Sequence, residues 1–274
     1  MARILRAKLR VDRKLKMNRN VSDTKTSNGR KGPAIRAVHP WISSERPKDG
    51  VRQLLNDDER ARLAVIASVV RFAKGESIYR AGEPVDAIYN IISGVVKAFS
   101  TGVDGSEHIH AFLFGDDLLG LSDDGRYANS AEAVTPVMAY QLPTAKLQNH
   151  LRKDAGLEFH VICKLCQELR QAQRHAFLIS RRDALPKLAM FLQLLEDLQT
   201  GRGELVNEIH LPMDRTEIGE FVGMSLAAVS RGFKKLAASG VIEIRNRQHV
   251  KVKDRAAFNE LADLSVSRTR GSGA

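Results

Sequence analysis

Cysteine and long apolar runs are scarce in this sequence, and each shortage excludes a class of protein. The 274 residues hold two cysteines. Cys163 and Cys166 lie three positions apart, so they cannot form the disulfide framework of a small secreted protein. No apolar run approaches the roughly 18 residues of a membrane span. Met1–Met17 lacks the continuous apolar core of a signal peptide. We expect a cytoplasmic chain without a membrane contact.

Motifs of the common enzymes are also missing. The chain has no Ser/His/Asp set, no cluster of metal ligands and no P-loop. We therefore expect no catalysis and neither metal nor cofactor. Two patterns stay open: Cys163 and Cys166 form a C-x-x-C on a predicted helix, and His108 and His110 share a face of a predicted strand. Two thiolates are half of a zinc site and two histidines could ligate haem, but such residues are more often structural.

The formal net charge of +11 suggests a nucleic-acid partner until its distribution is considered. Residues 1–50 carry 14 Lys and Arg against 4 Asp and Glu, residues 51–180 carry 14 against 16, and residues 181–274 carry 15 against 12. The excess therefore lies in the first segment, which has too few apolar residues to order itself. We expect this segment to be either a dispensable tail or a basic arm that attracts phosphates. The smaller C-terminal excess is compatible with DNA binding and does not prove it.

The segment after Val51 has the pattern of an all-β unit. Arg62–Val70 is predicted as the end of a short helix, because its apolar residues recur near helical spacing. Short runs rich in Ile, Val, Phe and Tyr then alternate with glycines about every ten positions, which favours a closed or double-sheet β structure. The predicted strands are Ser77–Tyr79, Ala87–Ile92, Val95–Ser100, His108–Leu113 and Val137–Leu142.

Residues from Thr144 to Ser180 change to helical character, with a break near Asp154–Gly156. The long second helix carries one apolar row at spacings of 3, 4, 3, 4 and 3 residues. Such a row favours pairing with a second helix, and so a homodimer, although a helix packed on its own β unit would share part of it. The predicted dimer row is Ile162, Leu165, Leu169, Ala172, Ala176 and Ile179.

A helix-turn-helix is predicted after another helix at Ala184–Leu198 and a hairpin around Thr200–Gly203. Asp214 is a good N-cap for Arg215–Val222, Gly223 suits the turn, and Ser225 caps Leu226–Ala238. The outer face of the second helix can hydrogen-bond base edges and phosphates in a major groove, whereas Val229, Phe233 and Leu236 face inward. The predicted DNA-contacting residues of this helix are Ser225, Leu226, Ala227, Ser230, Arg231 and Lys234.

Two further strands follow, Val241–Ile244 and His249–Val252, with a basic turn between them. This is a winged-helix ending, in which charge placed beside the DNA backbone raises affinity without carrying sequence information. The predicted phosphate contacts are Arg245, Arg247 and Lys251, with Lys253 beside them.

These segments together resemble the Crp/Fnr family of bacterial transcription regulators over about residues 51–257. The matching β-unit residues are Lys74-Gly75-Glu76-Ser77-Ile78, Ala81-Gly82-Glu83-Pro84, Ile88-Tyr89, Ser93-Gly94-Val95-Val96-Lys97 and Phe114-Gly115-Asp116. The matching DNA-reading residues are Arg215-Thr216-Glu217-Ile218-Gly219 and Val229-Ser230-Arg231. The resemblance implies an α+β protein with a cyclic-nucleotide-binding-like β-roll (a double-stranded jelly roll), a long dimerisation helix and a C-terminal winged helix-turn-helix.

The resemblance also divides the chain into predicted parts. They are a basic, mostly disordered extension at 1–50, the β-roll sensory domain at 51–143, a linker and dimerisation helix at 144–181, the DNA-binding domain at 182–257, and a helix end with a flexible tail at 258–274. Double-stranded DNA, RNA polymerase and a second copy of the chain are the implied partners. The candidate polymerase contacts are Thr200–Glu204 and the loop around Asp104-Gly105.

Departures from the family pattern limit the ligands that we expect this chain to bind and the bases that it should read. Cyclic-nucleotide binders carry a Glu and an Arg-Ser-Ala where this chain has Gly120 and Asn129-Ser130-Ala131, so we expect no cAMP binding. Residues 1–50 contain no cysteine for an iron–sulfur cluster. Resemblance to the FixK-like branch, whose members often lack both sites, is the most economical interpretation and implies an activator in a low-oxygen or metabolic response. The alternative is a small-molecule- or haem-gated regulator. Ala227 replaces a Glu that accepts from cytosine, so base reading should differ there.

Overall fold

A computed structural model describes residues 57–201 and 208–262 of the chain. The predicted extension at 1–50, most of the predicted hairpin and polymerase contact at Thr200–Glu204, and the predicted tail beyond Ala262 lie outside the described residues. No described helix is long and apolar enough to cross a membrane.

The N-terminal part is a β-roll made of two four-stranded antiparallel sheets, as the sequence predicts. One sheet has the strand order β1-β8-β3-β6 and the other β2-β7-β4-β5. Their facing sides enclose a core that includes Tyr89, Ile91, Val96 and Leu113. A short helix α1 at Asp57–Ile66 precedes them. The strands are β1 Ser68–Phe72, β2 Ser77–Tyr79, β3 Ala87–Ser93, β4 Val96–Thr101, β5 Glu107–Leu113, β6 Leu118–Leu119, β7 Ser130–Ala133 and β8 Val137–Pro143.

The structure corrects the prediction at three strands of the roll, β1, β6 and β7. The helix predicted to run through Arg62–Val70 ends at Ile66, and Ser68–Phe72 forms β1, which pairs with β8. The apolar residues of this segment have near-helical spacing, but those after Ile66 lie in a strand. Val69, which the helical pattern counts as a core residue, is 45% exposed. Strands β6 and β7 were not predicted at all. β6 has only two residues, and β7 reads Ser-Ala-Glu-Ala, which has no β-branched residue although its two alanines are fully buried.

Two helices follow the roll, α2 at Thr144–Leu151 and the long α3 at Ala155–Ser180. Asp154 caps α3, since its carboxylate accepts from the backbone N–H groups of Gly156 and Leu157. One side of α3 is fixed to the roll by a buried ion pair, in which Lys164 Nζ donates to Asp117 Oδ1 at 2.8 Å. Asp117 Oδ2 also accepts from the Phe114 N–H. The ion pair thus holds the long helix against the end of β5.

The C-terminal part is a winged helix-turn-helix. It contains α4 Ala184–Gly201, α5 Arg215–Val222, α6 Leu226–Ala238 and α7 Arg255–Ala262, with a small sheet of order β10-β11-β9 made of Ile209–His210 (β9), Ile242–Ile244 (β10) and His249–Val252 (β11). Phe191, Phe233 and Phe258 are fully buried at the centre. Helix α7 crosses the predicted boundary at residue 257 and contributes Phe258 to this core.

The buried Lys164–Asp117 pair gives a stability prediction. Lys164→Met leaves a buried carboxylate without its counter-charge, so the free energy of unfolding should fall by about 3–5 kcal/mol. Arg255→Ala is the matched control, because Arg255 bonds to Glu196 at an exposed position and should cost about 1 kcal/mol or less. Urea unfolding at one fixed protein concentration measures both. Equal losses would contradict a dominant role for the buried pair.

Candidate nucleic-acid interface

Helix α5 begins at a complete capping box. Asp214 accepts from the backbone N–H groups of Thr216 and Glu217, and the Glu217 carboxylate accepts from the Asp214 N–H at 2.8 Å. The capping box thus gives partners to two of the N–H groups that a helix start leaves unpaired, and it also pairs the N–H group of Asp214 itself. The predicted N-cap is confirmed, and the helix starts where the cap dictates.

The turn between α5 and α6 depends on two glycines. Gly223 has φ +67°, the left-handed conformation that ends α5. Gly219 lies where the turn crosses the helix, and a Cβ there would be 2.5 Å from the Met224 carbonyl oxygen. Ser225 then caps α6 by accepting from the Ala228 N–H. The close crossing sets the angle at which α6 leaves the turn.

The inner face of α6 packs as predicted. Val229, Phe233 and Leu236 are buried against α5 and α4. One contact that the sequence analysis missed is the guanidinium of Arg215, which lies 3.6 Å from the centre of the Phe233 ring. This cation–π contact joins the first turn of α5 to the middle of α6 and so fixes the orientation of α6.

The outer face of α6 carries the predicted DNA contacts. Ser230 is half-buried and the other five predicted residues are exposed. Among the described residues, no carboxylate lies within ion-pair distance of Arg231 or Lys234. Their charges are therefore available to a ligand. Leu226 is 50% exposed at the start of the helix, an apolar group suited to a thymine methyl.

The wing between β10 and β11 is less uniformly available than its basic sequence indicates. Arg245 bonds to Glu208 at 3.1 Å and to Glu243 at 2.7 Å. Lys251 is half-buried, whereas Arg247 is exposed between the strands. Two carboxylates already offset the charge of Arg245, so Arg247 is the wing residue whose charge is most accessible.

The end of α5 is held by two side chains that the sequence analysis did not single out. His175 of α3 donates from Nε2 to the Phe221 carbonyl oxygen at 2.7 Å, and Lys187 of α4 donates from Nζ to the Val222 carbonyl oxygen at 3.1 Å. The His175 ring also stacks on the Phe221 ring. Burial lowers the pKa of both His175 and Lys187. Neither residue shows a local sequence signal for this contact, which depends on the packing of α3 and α4 against α5.

The predicted dimer row lies along the other face of α3. All six of its residues are exposed in the single chain, with Leu169 at 61%. Phe159, one turn before Ile162, extends the row and is 53% exposed, and it was missed because it falls outside the heptad spacing. An apolar stripe of this length on one helix face is what a second helix covers.

The β-roll lacks the geometry of a cyclic-nucleotide site. Gly120 has φ +86°, and a Cβ there would be 3.0 Å from the Tyr127 ring and 3.1 Å from the Ala87 carbonyl oxygen. Tyr127 stacks on Tyr79 at 3.9 Å between ring centres, and Tyr79 donates to Asn129 at 3.4 Å. A tyrosine pair thus occupies the space beside the position at which nucleotide binders carry a Glu. The nucleotide that the domain type implies does not fit these residues.

The structure adds no support for a metal site at either of the two open patterns, Cys163 with Cys166 or His108 with His110. Cys163 is buried and Cys166 is exposed. His110 lies 2.8 Å from the Ser100 hydroxyl, and His108 lies 3.3 Å from the Ser106 hydroxyl. Within the described part of the chain, no three His, Cys, Asp or Glu residues are placed to hold a metal ion.

Comparison with known proteins identifies both halves of this arrangement. Residues 69–154 match the cyclic nucleotide-binding domain model, and residues 186–261 match the Crp-like helix-turn-helix domain model. The chain is 30% identical to the transcriptional activator protein Anr of Pseudomonas protegens over 70% of this chain and 80% of that protein. It is 28% identical to the nitrogen fixation regulation protein FixK of Azorhizobium caulinodans over 84% and 94%. The solved structure of FixK2 from Bradyrhizobium japonicum has the same fold, with a TM-score of 0.69 at 24% identity, covering 73% of this chain and all of that one.

The glycine crossing gives a prediction with an unusual sign. Alanine normally stabilises a helix interior relative to glycine by roughly 0.5–1 kcal/mol. At position 219 we expect Gly219→Ala to destabilise the protein by about 1–3 kcal/mol, because the new methyl group would contact a backbone oxygen. Thr216→Ala, at an exposed position of the same helix, should be neutral or slightly stabilising. Denaturant unfolding compares the two variants, and a stabilised Gly219→Ala protein would rule out the close crossing.

Proposed function

Because the chain belongs to the Crp/Fnr family of transcription regulators, we propose that its two α6 helices read an inverted-repeat DNA site. The protein acts as a homodimer, paired through the exposed row of α3. The two recognition helices enter successive major grooves, roughly 34 Å apart. Arg231 contacts a guanine bidentately, Ser230 reaches a base or phosphate, and Lys234 with Arg247 neutralises phosphates.

The observation that carries this proposal is the state of Arg231. Its side chain is exposed on the outer face of a helix whose inner face is locked by Phe233 and whose start is capped by Ser225. A guanidinium held on a rigid helix loses little freedom when it binds a base edge. Arg245 has carboxylate partners and belongs to the backbone-contacting part of the interface.

The regulatory output proposed here is activation in a low-oxygen or metabolic response. Relatives named for activation, for nitrogen fixation regulation and for anaerobic regulation match most of the chain. Bound dimer recruits RNA polymerase in the cytoplasm, and the protein itself catalyses no reaction. The hairpin between β4 and β5 supplies a polymerase contact, because Val103 is fully exposed at its tip beside Asp104 and Gly105. Thr200–Glu204 remains a second candidate contact.

Base preference should differ from that of relatives at one position. Ala227 is exposed near the start of α6 and has no acceptor for the cytosine amino group. Discrimination at that base pair should be weaker, by about 1–3 kcal/mol, than with a carboxylate in its place. Leu226 beside it favours a thymine methyl instead.

Selection from a library of random duplexes tests the DNA proposal. Wild-type protein should recover an inverted repeat, and Arg231→Ala should lose about 1–3 kcal/mol of affinity for it with relaxed preference at one position of each half-site. Lys234→Ala is the matched control, because losing a phosphate contact weakens binding to all sequences alike and lowers the salt dependence. Recovery of the same repeat by Arg231→Ala with unchanged affinity would contradict base reading by this residue.

The dimer row is tested by a charge at its centre. Leu169→Asp should convert the dimer to a monomer at micromolar concentration, because two carboxylates would be buried against each other. Arg170→Asp places a carboxylate on an exposed site away from the row and should leave the dimer intact. Analytical ultracentrifugation distinguishes the two. A dimeric Leu169→Asp protein would place the interface elsewhere.

A further inference from the structure

A cavity of about 270 Å³ lies where the sensory roll, α3 and the DNA-binding part meet. Its walls are mainly apolar. Phe112 and Leu113 of β5 form one side, Leu195 and Leu198 of α4 form another, and Phe221 at the end of α5 closes it. The cavity therefore touches both the strands of the roll and the helix that precedes the recognition helix.

Glu168 is the one acidic residue among the described residues that line this cavity. None of them is Lys or Arg, and burial lowers the pKa of the two lining histidines, His110 and His175. Lys164, one turn before Glu168, is bonded to Asp117. Lys164 is thus already paired, so an ionised Glu168 has no counter-charge of its own. Glu168 lines the cavity, and its Oε1 is buried without a hydrogen-bond partner among the described residues.

This charge excludes one ligand class and favours another. A cyclic phosphodiester would bring a second negative charge beside Glu168, where no cation lines the cavity to balance it. Burial raises the pKa of Glu168 to about 7, which shows how poorly its ionised form is compensated. A bound cation would supply the missing charge, and a hydrocarbon group would match the leucine and phenylalanine walls.

We propose that this cavity binds an apolar ligand that carries one amine, with its ammonium group on Glu168 and its hydrocarbon part against α4 and Phe221. The inference deepens the proposed function, because it assigns the signal that would control DNA binding. Phe221 is the residue whose ring and carbonyl oxygen His175 contacts. A ligand packed on Phe221 therefore changes the position of α5, and with it the angle of α6.

Calorimetry with three matched probes tests the ligand class on the full-length dimer without DNA. The probes are 2-phenylethylamine, its neutral analogue 2-phenylethanol and the anion 3-phenylpropionate, with cAMP as a fourth titrant. The amine should bind at least tenfold more tightly than the other three. Glu168→Gln should reduce amine affinity at least tenfold and leave phenylethanol affinity unchanged. Tighter binding of the anion or cAMP, or an amine affinity that does not depend on Glu168, would overturn the inference.

A second variant separates binding from folding. Leu195→Trp fills the apolar wall without touching the carboxylate, and it should abolish binding of both the amine and phenylethanol while the protein remains dimeric. Retained amine binding in this variant would place the ligand elsewhere and overturn the inference.

DNA affinity then tests the coupling. Saturating amine should change the affinity of wild-type protein for its selected duplex at least threefold, and that of Glu168→Gln not at all. No change in wild type would overturn the regulatory half of the inference. The proposed function fails separately, if ligand-free and amine-bound protein both select no sequence.

Discussion

The last carbonyl groups of α5 have no partners within their own helix, and side chains of α3 and α4 bond to them instead. The relative positions of these three helices depend on those bonds. His175 donates a hydrogen bond to the Phe221 carbonyl oxygen, and Lys187 donates one to the Val222 carbonyl oxygen. His175 belongs to α3, which also carries the predicted dimer row. The helix proposed to pair two chains thus also contacts the first helix of the DNA-reading motif. Through Gly219 and the Arg215–Phe233 contact, the position of α5 sets the position of α6.

The same arrangement connects the β-roll physically to the DNA-binding part. Lys164 ties α3 to Asp117 of the roll, and Phe112 of β5 packs on Phe221. Any change in the roll or in the cavity it borders therefore reaches α5 through side chains already in contact. Coupling of this kind requires a helix that can take two alternative positions. The β-roll, α3 and the core of the DNA-binding part all contact α5.

Local chemistry made the DNA-reading motif predictable, whereas long-range pairing left other parts unpredicted. Asp214, Gly223 and Ser225 each act on neighbouring backbone, so the bounds of α5 and α6 follow from the sequence alone. Strand β7 exists because its alanines fit between β2 and β4, which no local pattern reveals. His175 and Glu168 likewise gained their significance only from the elements packed against α3. The ion pair between Arg245 and Glu208 could not be predicted either, since Glu208 lies 37 residues away.

In the proposed dimer, two recognition helices lie a fixed distance apart. Binding to a selected site and to the same site with 5 base pairs inserted between its half-sites tests this most directly. The insertion rotates one half-site by about half a helical turn, so affinity should fall to that of a single half-site. Equal affinity for both duplexes would show that the half-sites are read independently and would contradict the account.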